Sequence, residues 1–336
     1  MAFDKVVDST ALDGNLKNVA NAIRTKGKTT ASLTFPNGFI SAIQTIQTGT
    51  ELKIVVSVTS GAVVTATKGS DTVSGTSVNG VCTLVVPEAG TWSVKATLGG
   101  QTSDTKNVSV VDSFSVTLGF LKDNFADNDW ASIIDACHSG NVPDTWVAGN
   151  SKPMTIGGVS YQVDIIGKNH DTYANGGKAP LTFQLHDCYD EDKNMNSSNT
   201  NNGGWTSCAM RQTHLPAILS RMPTEVRNGI REVNKLTSAG SQSNTINTTA
   251  DKLFLLSEIE IFGTLRYSKY GEGARYDYYS AGNSYVKKYK GNAYSWGARS
   301  PDGTGTTSFC AAISDGSGST PYPASIALGV AFGFCF

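Results

Sequence analysis

The hydrophobic period changes near residue 51, and that change constrains the fold most. From there, strand-forming residues recur at every second position. The runs are Leu52, Ile54, Val56 and Val58; Val63 and Thr65; Val81, Thr83 and Val85; Trp92, Val94 and Ala96; Val108 and Val110; and Phe114 and Val116. A period of two puts one set of side chains on one face of a strand. Between the runs stand Ser60-Gly61, Lys68-Gly69, Asn79-Gly80, Ala89-Gly90 and Gly99-Gly100, which are turn signals. Residues 51–118 therefore predict a small all-β antiparallel sandwich. It holds no titratable cluster, so the expected role is spacer or display.

Upstream the period is helical. Leu12, Leu16, Val19 and Ile23 fall at spacings of 4, 3 and 4, which makes one apolar stripe. Asp8, Ser9 and Thr10 stand where an N-cap belongs, and Lys26-Gly27-Lys28 ends the pattern. After a turn at Phe35-Pro36-Asn37-Gly38, residues Phe39, Ile40, Ile43 and Ile46 form a second short stripe. Two helices of this size bury too little to fold alone. Residues 1–50 are therefore expected to attach to sister chains or a larger assembly, the alternative being that they dock on the next domain of the same chain.

The rest, residues 119–336, predicts one large α+β domain. A short helix is expected over Asn128–Ala136. A hairpin is expected at Met154–Ile156 and Tyr161–Ile166 around Gly157-Gly158, and a strand at Leu181–Leu185. Leu215–Met222 and Val226–Val233 predict helices broken at Pro223. Leu236–Ala250 predicts a Ser/Thr/Asn loop, and Leu253–Leu256 with Ile259 and Ile261 a return to strand or short helix. Val330, Phe332, Phe334 and Phe336 predict a buried final strand.

Composition narrows the function classes. The 336 residues carry net charge −1 and only 16% charged residues, against about 25% in average domains. There is no Lys/Arg block, which argues against binding nucleic acid by phosphate neutralisation. No run of about 18 apolar residues predicts membrane insertion, and Met1–Lys5 lacks the apolar core of a signal peptide. Cys82, Cys137, Cys188, Cys208, Cys310 and Cys335 show no CxxC spacing and are expected as buried thiols, with a Cys188–Cys208 disulfide left open. His138, His170, His186 and His214 are isolated in sequence, so neither a metal site nor a catalytic triad is predicted. Asp190, Asp192 and Asn194 have partial calcium-loop spacing but lack the Gly and distal Glu of an EF-hand. They are read as a solvated turn with calcium as the alternative.

Three stretches resemble known families. Val19-Ala20-Asn21-Ala22-Ile23-Arg24, Leu33–Phe39 and Ala42-Ile43 resemble a short N-terminal module of tail proteins from phages and prophages of Gram-positive bacteria. Pro87-Glu88-Ala89-Gly90-Thr91-Trp92 resembles the turn before a strand in Ig-like or carboxypeptidase-regulatory-like modules. Met195–Trp205, Ala209-Met210-Arg211, Asp251–Gly263, Trp296, Arg299-Ser300-Pro301, Phe309-Cys310 and Gly329–Cys335 together resemble the C-terminal domain of phage tail proteins. That domain is C-type-lectin-like (formylglycine-generating-enzyme-like), and some members are the variable proteins of diversity-generating retroelements.

The last resemblance implies ligand binding through diversified loops. In that family, adenine-directed errors rewrite asparagine codons of a template into NNC codons. Such codons cannot encode Lys, Glu, Gln, Met or Trp. Those types number 19, 8, 7, 5 and 5 here, and none falls in the last forty residues, although at their upstream frequency about six would. Asn is missing from the same window. The variable region is expected at about 297–328. Its display positions are Asp302, Gly303, Thr304, Thr306, Thr307, Ser308, Ala311, Ile313, Ser317, Ser319, Thr320, Pro321, Tyr322, Pro323, Ile326 and Leu328. Tyr289, Tyr294 and Trp296 are candidates for the binding rim. Formylglycine-generating enzymes use two close cysteines to hold copper, whereas Cys310 and Cys335 lie 25 positions apart. The expectation is a non-enzymatic receptor-binding protein of the phage virion. It would be a homotrimer without a cofactor, with a bacterial surface protein or glycan and other tail proteins as partners. The alternative is a structural tail or baseplate component whose lectin-like domain binds other virion proteins.

Overall fold

The computed structural model describes residues 9–26, 30–45 and 51–336. Asp8, Gly27, Lys28 and Ile46, expected to cap or pack these helices, lie outside the described residues. The protein is multidomain and β-rich, with several sheets and short helices built round three separate hydrophobic clusters. No helix among the described residues is long and apolar enough to cross a membrane.

The first cluster is small. Helices Ser9–Lys26 and Asn37–Thr45 enclose Ala20, Ile23 and Phe39, with Leu16, Leu33 and Ala42 at its margin. Leu12, Val19, Ile40 and Ile43 remain about half exposed. The two stripes thus close on each other only in part, and a hydrophobic face stays open.

The second cluster lies between two sheets. Lys53–Ser57 sits between Val81–Val85 and Ser113–Thr117; the facing sheet is built on Val63–Lys68 and Gly90–Leu98. Ile54, Val56, Val64, Ala66, Leu84, Trp92, Val94, Ala96, Val108 and Val110 fill the space between. Two expectations are corrected. The sandwich is not wholly antiparallel, because Lys53–Ser57 pairs in parallel with Ser113–Thr117. Parallel neighbours need a long crossover, and the intervening strands of the unit supply it. The inward faces of two strands are also reversed. Val63, Val81 and Val85 are exposed, while Val64, Ala66, Cys82 and Leu84 are buried. Both alternating sets there are apolar, so period alone does not choose; a one-residue shift exchanges the faces.

The third cluster runs from Leu121 to Phe336. Helix Trp130–Ser139 starts two residues later than expected. Asp129 caps it by accepting from the Ser132 amide at 2.7 Å, and Gly140 ends it at φ 71°. The hairpin Ser151–Ile156 and Val159–Lys168 forms as expected and pairs with Leu181–Leu185. The final strand, Gly333–Cys335, pairs with that same strand, so the end of the chain closes the sheet. Phe125, Trp130, Phe183, Phe334 and Phe336 pack there with ring centroids 5.3–6.2 Å apart.

Two further expectations are corrected here. The second helix after Pro223 stops at Gly229, and Val233 begins a strand instead. Residues 236–250 are not a loop. Val233–Ser238 and Ile246–Asp251 form a hairpin whose buried face carries Lys235 and Thr237 as well as Val233. A polar inner face hides the strand from any apolar count; it survives burial because ion pairs and hydrogen bonds satisfy it.

Candidate ligand-binding face

The display positions lie on and around a three-stranded antiparallel sheet. Ser308–Ala312 is its centre, flanked by Trp296–Pro301 and Ser319–Pro323. The last strand is an edge, and Pro321 and Pro323 remove two of its donors, which blunts it against pairing with another chain. Turns connect the strands, with Ile313 donating to Gly318 O at 3.0 Å and Ser317 to Asp315 Oδ1 at 2.8 Å.

Of the sixteen display positions, twelve reach solvent. Thr304, Thr306, Thr307, Ser317, Pro323 and Ile326 are exposed; Gly303, Ser308, Ile313, Thr320, Pro321 and Tyr322 are half-buried. Four expectations fail. Ala311 is buried in the central strand, Ser319 packs inward, and Leu328 is held under by reciprocal amide bonds with Lys193 at 3.0 Å. Asp302 turns inward and shapes its loop, accepting from the Thr304 amide at 2.9 Å and its hydroxyl at 2.7 Å. These four hold the surface rather than form it.

The sheet rests on buried charge. Arg299 and Ser300 project from its first strand into the core. Arg299 Nη2 donates to Glu260 Oε1 at 2.8 Å, and Nη1 to Glu260 Oε2. Lys235 reaches Glu260 and Asp171, each at 2.8 Å. Burial opposes ionisation of both acids, but the cations beside them outweigh it: Glu260 is held below its ordinary value and Asp171 falls to about 2. Glu272 has no ion-pair partner within 4.0 Å among the described residues, and Arg299 acts on it only from farther off. Burial pushes its carboxyl up to about 7, against hydrogen bonds from Ser300 Oγ and the Ser238 amide. Glu260 also completes a capping box with Ser257 at the start of helix Glu258–Phe262.

A second support comes from residues 193–211. Asn201 is fully buried, and its Nδ2 lies 3.2, 3.1 and 2.9 Å from the carbonyls of Asp302, Gly305 and Ser308. Its amide donates to Thr306 O at 2.9 Å. One side chain therefore pins the whole 302–308 loop from beneath. Asn199 Oδ1 accepts from the Ser325 amide at 3.1 Å and so holds the 324–328 turn. Glycine is required on either side of Asn201. A Cβ on Gly240 (φ 74°) would sit 1.7 Å from Asn201 O, and one on Gly204 (φ 56°) 2.1 Å from Ser238 O. Asp251 fastens the segment, taking Trp205 Nε1 at 2.8 Å and Arg211 Nε at 2.5 Å.

The rim residues separate. Trp296 is fully buried, donates to Tyr285 O at 2.8 Å and lies under Lys287, so it is framework and not rim. Tyr289 and Tyr294 are half-buried with ring centroids 5.1 Å apart. Their hydroxyls reach Asp190 O at 3.2 Å and Asp192 Oδ2 at 3.3 Å. Asn194 turns elsewhere, to His214 at 3.2 Å. Asp190, Asp192 and Asn194 therefore do not converge, and among the described residues no group of three or more His, Cys, Asp or Glu is placed to hold a metal.

The histidines stay apart. His138 meets Gly229 O at 2.8 Å, His170 stacks on Tyr276 at 4.0 Å and His186 pairs with Asp164 at 2.7 Å. All six cysteines are buried free thiols, Cys188 and Cys208 included. Cys310 and Cys335 belong to different sheets. Asn201, Glu260, Glu272, Lys235 and Asp171 received no role from sequence. Only Glu260 carried a readable sign, the Ser257-x-x-Glu260 spacing.

A family described as Domain of unknown function (DUF6273) matches residues 180–329. The span takes in Asn201, Glu260, Arg299 and all sixteen display positions. No curated protein and no solved structure matches the chain. Over somewhat less than half its length, then, the chain is similar to a domain whose function is undefined, and the matched span coincides with the face and its supports.

Proposed function

We propose that the chain is a receptor-binding protein of a phage tail. It recognises a bacterial surface ligand through the diversified loops of a C-type-lectin-like domain, set on an Ig-like spacer and an N-terminal attachment module. One observation carries the reading. Within residues 297–336, which lack Lys, Glu, Gln, Met, Trp and Asn, side chains divide between a buried frame and an accessible face. The frame is Arg299, Ser300, Phe309, Cys310 and Val330–Phe336; the face is the twelve accessible positions. Such a division lets residues change on one side without loss of fold on the other.

The chemistry of the face suits adaptable recognition. Threonine and serine hydroxyls surround one aromatic, Tyr322, and one exposed aliphatic, Ile326. Rigid aromatics beside small polar groups are also the mix of antibody paratopes. With a single aromatic, per-site affinity is modest and many copies on a virion supply avidity. The mechanism is non-covalent binding.

Resequencing the gene across a grown phage population tests this. Substitutions concentrated after Trp296, at the accessible positions, are expected. Uniform variation, or none, overturns diversified binding and leaves a structural tail component.

A further inference from the structure

A cleft of about 260 Å³ opens beside the face, between helix Glu258–Phe262, the segment through Thr264 and Arg266, Arg275, Tyr285 and the turn at Ser317–Ser319. Its residues have unusual charge bookkeeping. Two arginines line it, and neither has a carboxylate within 4.0 Å among the described residues. Among the described residues, Arg275 uses only Nε, donating to Ile261 O at 3.3 Å, while its stem packs over Gly263. Arg266 lies over the Tyr267 ring at 5.3 Å and reaches Ser319 O at a long 3.5 Å. The guanidinium forks therefore keep donors to spare.

The one acid in the lining is already committed. Glu258 is fully buried, and its carboxylate accepts from the amides of Arg266, Tyr267 and Ser268 at 3.1, 3.1 and 2.8 Å, and from Ser268 Oγ at 2.7 Å. These donors hold the loop and occupy the carboxylate's lone pairs, so Glu258 forms no ion pair within 4.0 Å with either arginine. Phe262 and Tyr285, edge to face at 4.9 Å, form an aromatic wall.

We propose that this cleft is a fixed subsite for an acidic sugar or sugar-like polyol. Its oxyanion sits on Arg266 and Arg275, and its carbon skeleton lies on Tyr285 and Phe262. Guanidinium forks match carboxylate and phosphate alike, so the shared chemistry is an oxyanion on a hydroxylated skeleton. The volume is below the roughly 300–1,000 Å³ of drug-sized sites, which suits one ring or one polyol unit. Arg266 and Arg275 lie outside residues 297–336, whereas Ser317, one of the accessible display positions, lies within them. A constant anion anchor thus stands against a wall that diversification alters. The proposal deepens the receptor-binding reading and rests on the sheet being the ligand face.

Titration of the full chain with glucuronic acid, glycerol 1-phosphate and glucose tests it. At least one acidic probe is expected to bind and glucose to bind at least about tenfold more weakly. Preference between the two acids assigns carboxylate or phosphate as the natural group. In R266Q/R275Q the affinity for the acid is expected to fall by about tenfold or more, with an unchanged melting curve, while Y322A retains it. Equal binding of glucose, no binding of either acid, or binding unaltered in R266Q/R275Q overturns the subsite. Host-cell adsorption separates the two ideas. Adsorption lost in Y322A without any acid binding sinks the subsite and leaves receptor binding standing; arginine-dependent acid binding with adsorption unaltered by either variant does the reverse.

Discussion

Arg299 and Glu260 face each other as a two-pronged ion pair, both buried, with Arg299 Nη2 2.8 Å from Glu260 Oε1. One member comes from strand Trp296–Pro301 and the other from helix Glu258–Phe262. Removing one partner strands a buried charge, which costs about 3–5 kcal/mol. R299M and E260Q are each expected to lose that much in urea unfolding. T306A and S317A, on the exposed turns, should stay within about 0.5 kcal/mol of the parent.

Glu272 sets a pH dependence. Its carboxyl titrates near pH 7 in the folded protein, against an ordinary 4.5. Between those values the folded state holds a proton that the unfolded chain has released. Its contribution is therefore complete below about pH 4.5 and is lost as pH rises through 7, by about 3 kcal/mol. E272Q should abolish that portion of the decline, read as the difference between the two pH profiles of unfolding free energy. Profiles that run parallel from pH 4.5 to 8 contradict it.

Asn201 acts through the loop it pins. N201A leaves the carbonyls of Asp302, Gly305 and Ser308 without that donor, a cost of about 1–3 kcal/mol. Faster amide exchange is expected within 302–308. Ligand adsorption should weaken although no accessible display residue has changed.

The open face of the N-terminal helices is expected to hold sister chains together as a trimer. Replacing Leu12, Val19, Ile40 and Ile43 by serine should give a monomer in sedimentation, with the main unfolding transition unmoved. A monomeric parent chain would refute the assignment.

Thiol chemistry should be silent in the native state. Burial pushes Cys188 and Cys208 to about 12 and raises Cys310 and Cys335 as well. An aromatic disulfide reagent at pH 8 is expected to label none of the six quickly, and all six in guanidinium without reductant. Two fewer in guanidinium would reveal a disulfide.

Sequence alone determined what depends on local period and turn chemistry. It separated the helical start from the strands after residue 51, located the hairpin at Gly157-Gly158, and identified the buried aromatic end of the chain. It also exposed the restricted alphabet after Trp296, since an alphabet needs no coordinates. Tertiary structure decided which face of an ambiguous strand turns inward: Val64 rather than Val63, Leu84 rather than Val85. It alone turned Asp302, Ala311, Ser319 and Leu328 from display into support, and revealed a strand where Lys235 and Thr237 form the buried side. The reason is common to these cases. Whether a polar residue can be buried depends on partners far away in sequence, and Lys235 finds Asp171 and Glu260 only once the chain has folded.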